Sequence, residues 1–101
     1  MKYALSSDEF KHVYNNSDNL LIDDLLFKYV YNETPKLGFI VSRKYGNSVS
    51  RNLFKRRCRY AFYELLKRGF SCSIIVKPKN QNISWLTINK SFEILYEKNT
   101  H

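Results

Sequence analysis

The sequence predicts an α+β fold in a single domain, on three observations. Apolar residues recur at helical spacing in three places, each marked at one end by a capping signal or followed by polar residues. Between them lie short β-branched and aromatic runs bounded by turn residues. The chain has 101 residues, 44% of them hydrophobic, and a chain of that length buries about 65% of its unfolded surface, enough for a core without disulfides or metal. With only 3 Gly and 2 Pro, the linker-rich, collagen-like and disordered classes are excluded.

Taken in order, Ser6 and Glu9 form a capping box, and Phe10, Val13 and Tyr14 follow at i, i+3, i+4, which predicts a helix over residues 7–15. Residues 20–31 are apolar and aromatic, interrupted by Asp23-Asp24. Asn32-Glu33-Thr34-Pro35 then supplies a turn before the run at 37–42, so the two runs read as antiparallel strands. Asn47 and Ser48 are N-cap candidates for a long helix over 48–68, which Gly69 ends. Residues 70–77 carry Ile74-Ile75-Val76 and stop at Pro78, as a central strand buried on both faces would. Phe92, Leu95 and Tyr96 predict a last helix from about residue 89.

Charge narrows the function. Lys and Arg outnumber Asp and Glu by 17 to 9, a net +8 that favours an anionic partner. Residues 36–68 hold ten of those cations against Glu64 alone, while the other 68 residues balance to −1. No apolar run approaches the roughly 20 residues of a membrane span. The acidic N-terminus lacks the continuous apolar stretch of an export signal, which predicts a cytoplasmic protein. Cys58 and Cys72 are too few for a disulfide framework and read as reduced, buried thiols.

On a wheel of about 100° per residue, Phe54, Cys58, Ala61, Phe62, Leu65 and Leu66 share one arc of the long helix and face a core. Asn52, Arg56, Arg59 and Tyr63 form the opposite row, with Arg51 and Lys55 beside it. Solvated helix faces usually alternate Glu with Lys at i, i+4, whereas Arg51, Lys55 and Arg59 stack like charges there. They also sit toward the positive end of the helix dipole. Bound phosphates relieve both costs, and arginine suits bidentate phosphate contacts, while Asn52 can read base edges or sugar hydroxyls.

The segment Gly38-Phe39-Ile40-Val41-Ser42-Arg43-Lys44-Tyr45-Gly46-Asn47-Ser48-Val49-Ser50-Arg51-Asn52-Leu53-Phe54-Lys55-Arg56-Arg57-Cys58-Arg59-Tyr60-Ala61-Phe62 resembles the signature of the bacterial ribonuclease P protein subunit. That signature is a Gly-x-x-Val-Ser-Lys-Lys-x-Gly-x-Ala-Val strand and turn, then a helix opening Arg-Asn-Arg-x-x-Lys-Arg-x-x-Arg. Asp8-Glu9-Phe10-Lys11-His12-Val13-Tyr14 is similar to the family's first helix and Ser73-Ile74-Ile75-Val76-Lys77-Pro78 to its last strand. The resemblance implies a small two-layer α+β sandwich of about four strands packed by three helices, with a left-handed β-α-β crossover, the type also found as the second domain of a small-subunit ribosomal protein.

It further implies the accessory subunit of a ribonucleoprotein endonuclease that removes the 5′ leader of precursor tRNA. Catalysis there belongs to the RNA subunit and its Mg2+; the protein alone binds no cofactor and contributes no catalytic residue. The implied partners are the catalytic ribonuclease P RNA, in a 1:1 complex with a monomeric protein, and precursor tRNA, with no membrane. The implied RNA contacts are Arg43, Lys44, Arg51, Asn52, Lys55, Arg56, Arg57 and Arg59, and the implied leader-binding cleft is lined by Phe10, Tyr14, Phe27 and Tyr29, with Tyr31 as a further candidate. The chain departs from the pattern at Leu53, where the motif's second arginine is usual, and in lacking a basic N-terminal tail. Leu53 falls on the polar side of the wheel, where a leucine gains little from burial.

Other chemistry fails on spacing. Asp23 and Asp24 are adjacent and suit a turn rather than paired acid-base work. His12 and His101 have no partner for a nucleophile-base arrangement. The three Asn-x-Ser triplets at Asn15, Asn82 and Asn89 match the glycosylation pattern by chance. A ribosomal or general RNA-binding module shares the basic helix but has no reason to stimulate precursor cleavage. A membrane-surface helix needs a free bulky apolar face, which the core consumes here.

Overall fold

The computed structural model of the chain describes residues 3–99; Met1, Lys2, Thr100 and His101 lie outside them. The elements run α1 (Ser7–Asn16), β1 (Asp18–Ile22), β2 (Leu25–Tyr31), β3 (Leu37–Phe39), a 3-10 turn η1 (Arg43–Tyr45), α2 (Ser48–Lys67), β4 (Cys72–Pro78) and α3 (Trp85–Asn99). The α+β class, the four strands and the three helices are those expected.

Two readings of the first strands are corrected. Residues 20–31 are not one strand but a hairpin, β1 and β2, turning at Asp23, whose φ of 51° is the left-handed geometry that Asp tolerates. The following run does not pair with it either. The sheet order is β1-β2-β4-β3, with β4 antiparallel to β2 and parallel to β3. The turn at Asn32 folds over the start of β4: Asn32 Nδ2 and the Lys36 N–H both donate to Ser73 Oγ at 3.0 Å, and the Asn32 N–H donates to the Ser71 carbonyl. That leaves a slot between β2 and β3 for β4, whose Ile74, Ile75 and Val76 are completely buried.

Strand alternation sorts the two faces of the sheet. Leu25 and Phe27 of β2, Ile74 and Val76 of β4 and Leu37 of β3 join Phe54, Cys58, Ala61, Phe62 and Leu65 of α2 and Ile88, Phe92 and Leu95 of α3 in one core. The opposite face carries α1, which packs on β2 and β4 and buries Val13. The sheet and the α2–α3 pair thus form the two main layers, and α1 adds a short third one. Gly38 is what lets α1 approach: a Cβ there would lie 2.8 Å from Leu5 Cδ1 and 3.1 Å from the Phe10 ring.

Helix ends follow the local signals. Ser6 and Glu9 make the capping box, and Asn47 Oδ1 accepts from the Ser50 N–H at 2.9 Å. Gly69 closes α2 at φ 87°, a conformation costly for a residue with a Cβ. The last helix begins at Trp85, four residues before the expected start, because Ser84 Oγ accepts from the Thr87 N–H and caps it there.

Candidate nucleic-acid interface

The crossover from β3 to β4 carries the basic segment, and the fold separates its cations into two groups. Lys36 pairs with Glu9 at 2.8 Å, Lys67 with Glu64 at 3.4 Å, and Arg68 with both carboxylate oxygens of Glu93. Arg68 also lies 4.0 Å over the Tyr96 ring, and the Tyr96 hydroxyl donates to the Arg68 carbonyl at 3.0 Å. Lys36 thus fastens α1 to the β2–β3 turn and Arg68 the C-terminal end of α2 to α3, while the Lys67 pair lies within α2. Among the described residues, Arg43, Lys44, Arg51, Lys55, Arg56, Arg57 and Arg59 form no ion pair. All seven lie on η1 or on the first twelve residues of α2, whose first turn carries no acid.

Arg56 and Asn52 are exposed, and Arg51, Lys55, Arg57 and Arg59 are half-buried along the flanks of α2. Half-burial lays the stems of these long side chains on the protein and leaves the charged ends toward water. Arg59 departs from this in one atom, its Nε being buried with no hydrogen-bond partner. Arg51 donates to Ser48 Oγ at 3.2 Å, which holds it over the first turn. Arg43 and Lys44 are fixed beside that end of the helix: Ser42 Oγ caps η1, the Lys44 carbonyl accepts from Gln81 Nε2 at 2.7 Å, and the buried Tyr45 hydroxyl accepts from the Ile83 N–H. Burial pushes the Tyr45 phenol above its ordinary value. Thus the eight expected RNA-contact residues all lie on η1 and the first twelve residues of α2.

The motif departure reads differently in three dimensions. Leu53 is half-buried rather than stranded on a polar face, lining a groove with Tyr45, Phe54, Arg57 and the loop from Asn82 to Ser84 that precedes α3. An apolar side chain is useful there, where α2 meets that loop.

The expected cleft divides. Phe10 and Tyr14 of α1 stack with centroids 6.3 Å apart and planes 19° from parallel, Phe10 half-buried and Tyr14 49% exposed. Phe27 and Tyr29 do not join them. Both belong to the face of β2 turned toward α2 and α3: Phe27 is fully buried, edge-on to Phe92 at 5.1 Å, and Tyr29 packs against that same core. Tyr31 shares that alternation and is exposed at the end of the strand. A one-residue change of register exchanges the faces, and the residues of β2 that turn toward α1 are Leu26, Lys28 and Val30.

Lys28 is the residue the sequence did not disclose. Its Nζ sits 4.5 Å over the Tyr14 ring and donates to Asn19 Oδ1 at 3.1 Å. Lys36, at the other end of α1, holds the Glu9 carboxyl down at about 2, aided by the Ser6 backbone and hydroxyl, so the carboxylate stays ionised over the whole ordinary pH range. The α1 face therefore offers two stacked aromatic rings with Lys28 at one end, while Lys36 at the other is held by Glu9.

Neither thiol fits nucleophilic work: burial raises Cys58 and Cys72 above the ordinary cysteine range. Among the described residues no group of three or more His, Cys, Asp or Glu is placed to hold a metal ion, and no helix is long and apolar enough to cross a membrane.

The chain is similar to known proteins along nearly its whole length. A family model described as Ribonuclease P matches residues 4–100. The Ribonuclease P protein component of Mesomycoplasma hyopneumoniae is 34% identical over 92 residues, covering 89% of this chain and 79% of that protein. That of Caldanaerobacter subterraneus is 30% identical over 97 residues, covering 91% and 84%. Among solved structures, the RNase P protein from Thermotoga maritima superposes with a TM-score of 0.74 at 20% identity over 92% of this chain and 93% of that one. The Staphylococcus aureus RNase P protein gives 0.70 at 23% identity over 95% and 94%. At those identities the structures speak for the fold.

Proposed function

The chain belongs to the ribonuclease P protein family, and from that premise we propose that it binds the catalytic RNA of a ribonuclease P through η1 and α2, and the 5′ leader of precursor tRNA along α1. The observation that carries this reading is the set of seven cations on η1 and α2 with no carboxylate partner among the described residues, on a fold that pairs the other three cations of the same segment. Unpaired cations at that density match a phosphate backbone, whose neutralisation releases condensed counterions and makes affinity steeply salt-dependent. The stacked Phe10 and Tyr14, with Lys28 alongside, suit a single strand held by aromatic and phosphate contacts.

In this reading hydrolysis is the work of the RNA and its Mg2+, in a 1:1 ribonucleoprotein with a monomeric protein in the cytoplasm. The side chains of this protein bind, orient and neutralise; none donates or abstracts a proton at the scissile phosphate. Reconstitution with a bacterial ribonuclease P RNA and precursor tRNA tests it. The expected result is leader removal that the protein accelerates at low magnesium, and no cleavage by the protein alone. Cleavage by the RNA-free protein, or no effect of the protein on the RNA's rate, would overturn it.

A further inference from the structure

On the flank of α2 that faces α3, Tyr60 and Trp85 meet with ring centroids 5.6 Å apart and planes at 60°. Trp85 opens α3 and is half-buried against the main core, whereas Tyr60 is 57% exposed. Together with Arg56 and Arg57 they line an open groove of about 380 Å3. Packing accounts for Trp85, which pins the start of α3 to α2. It does not account for Tyr60, which leaves more than half of a large aromatic surface in water, where burial stabilises it little.

Three features of the groove select its occupant. The rings are tilted by 60° rather than stacked flat, so they do not cover each other face to face. No acid lines the groove, and among the described residues neither arginine is in an ion pair. The groove is also continuous, through Arg56, with the cation row of α2. Exposed ring faces between unpaired guanidinium groups match an unstacked base with a phosphate on either side. We propose that Tyr60 and Trp85, flanked by Arg56 and Arg57, form a stacking site for an unpaired nucleobase of RNA. The site rests on the RNA-binding reading given above and extends it to the α2–α3 side, across the sheet from the Phe10–Tyr14 surface of α1.

Trp85 is the sole tryptophan of the chain, so its emission reports on this groove and no other. Labelled bacterial ribonuclease P RNA is titrated with the full chain, following complex formation by RNA anisotropy and the site by Trp85 fluorescence. A base on the rings quenches Trp85 at saturation. Tyr60→Ala then weakens binding at least about fivefold, the lower end of what one stacked base contributes. Tyr60→Phe retains wild-type affinity and Tyr60→Leu, apolar but without a π face, does not. Circular dichroism of each variant establishes that it is folded. Normal complex formation with unchanged Trp85 emission, or with Tyr60→Ala within twofold of wild type, overturns the site and leaves the proposed function intact. Failure of the wild-type chain to bind the RNA overturns both.

Discussion

Lys28 Nζ stands 4.5 Å over the ring of Tyr14, tying the middle of β2 to the last turn of α1 on the face of the sheet away from the main core. The ammonium polarises the ring and is held by Asn19, and Tyr14, with Phe10 beside it, still leaves about half of its surface to solvent or ligand. If this surface holds the leader, Tyr14→Ala weakens binding of leader-bearing precursor tRNA by about 1–3 kcal/mol and leaves mature tRNA unaffected. Lys28→Ala has the same sign and a smaller size. Paired affinity measurements with the two RNAs check this, and equal losses for both would remove the leader from α1.

Phe27 answers a different measurement. It is completely buried on the α2–α3 face and edge-on to Phe92, so Phe27→Ala leaves a core cavity and costs about 3–5 kcal/mol in denaturant unfolding. Phe10→Ala, on a half-buried ring of the other face, costs well under half of that. Similar losses for the two would contradict the assignment of β2's faces.

Glu9 ties a part of the protein's acid stability to one contact. Its carboxyl titrates at about 2 when folded, against an ordinary value of 4.5, chiefly because Lys36 Nζ donates to it and secondarily through Ser6. A lowered folded value means that the unfolded chain takes up the proton first. The stabilisation is thus complete above about pH 5 and fades as pH falls from the ordinary value toward 2. Lys36→Met should flatten the fall in Tm over that window by lowering Tm near pH 7, where the contact is intact, while changing little near pH 2. An unaltered acid limb would show that the contact contributes nothing in solution.

How much of this was legible in the sequence depends on how far apart the deciding residues lie. The capping box at Ser6, the stop at Gly69 and the central burial of Ile74-Ile75-Val76 are each fixed within a few residues, and each was readable. The insertion of β4 between β2 and β3 was not, because it is decided by bonds from Asn32 and Lys36 to Ser73, about forty positions along. The face of Phe27 failed for the same reason: alternation gives the period, and only the partner strand gives the phase. The basic helix itself was evident from its like-charge spacing. Which of its cations are free was not, since Glu9 and Glu93, the acids that claim Lys36 and Arg68, are 27 and 25 residues away.

That division gives the most direct test of the interface, because Arg56 and Arg68 belong to one helix and one charge run yet should behave in opposite ways. Arg56 is exposed without an ion pair among the described residues, while Arg68 is bound to Glu93 and laid over Tyr96, where it joins α2 to α3. A cation that meets a phosphate contributes roughly 0.7–0.9 to the slope of log affinity against log salt. Arg56→Ala should flatten the slope by that amount and leave unfolding nearly unchanged, since truncating an exposed side chain shifts stability by no more than about 0.5 kcal/mol. Arg68→Ala should leave the slope alone and lower stability modestly, because solvent screens a half-exposed ion pair. Salt titrations and urea unfolding of the two variants decide it. If Arg68→Ala flattened the slope as much as Arg56→Ala, the ion pairs would be surrendered to RNA on binding, and the boundary of the interface would lie at the end of α2 rather than at its middle.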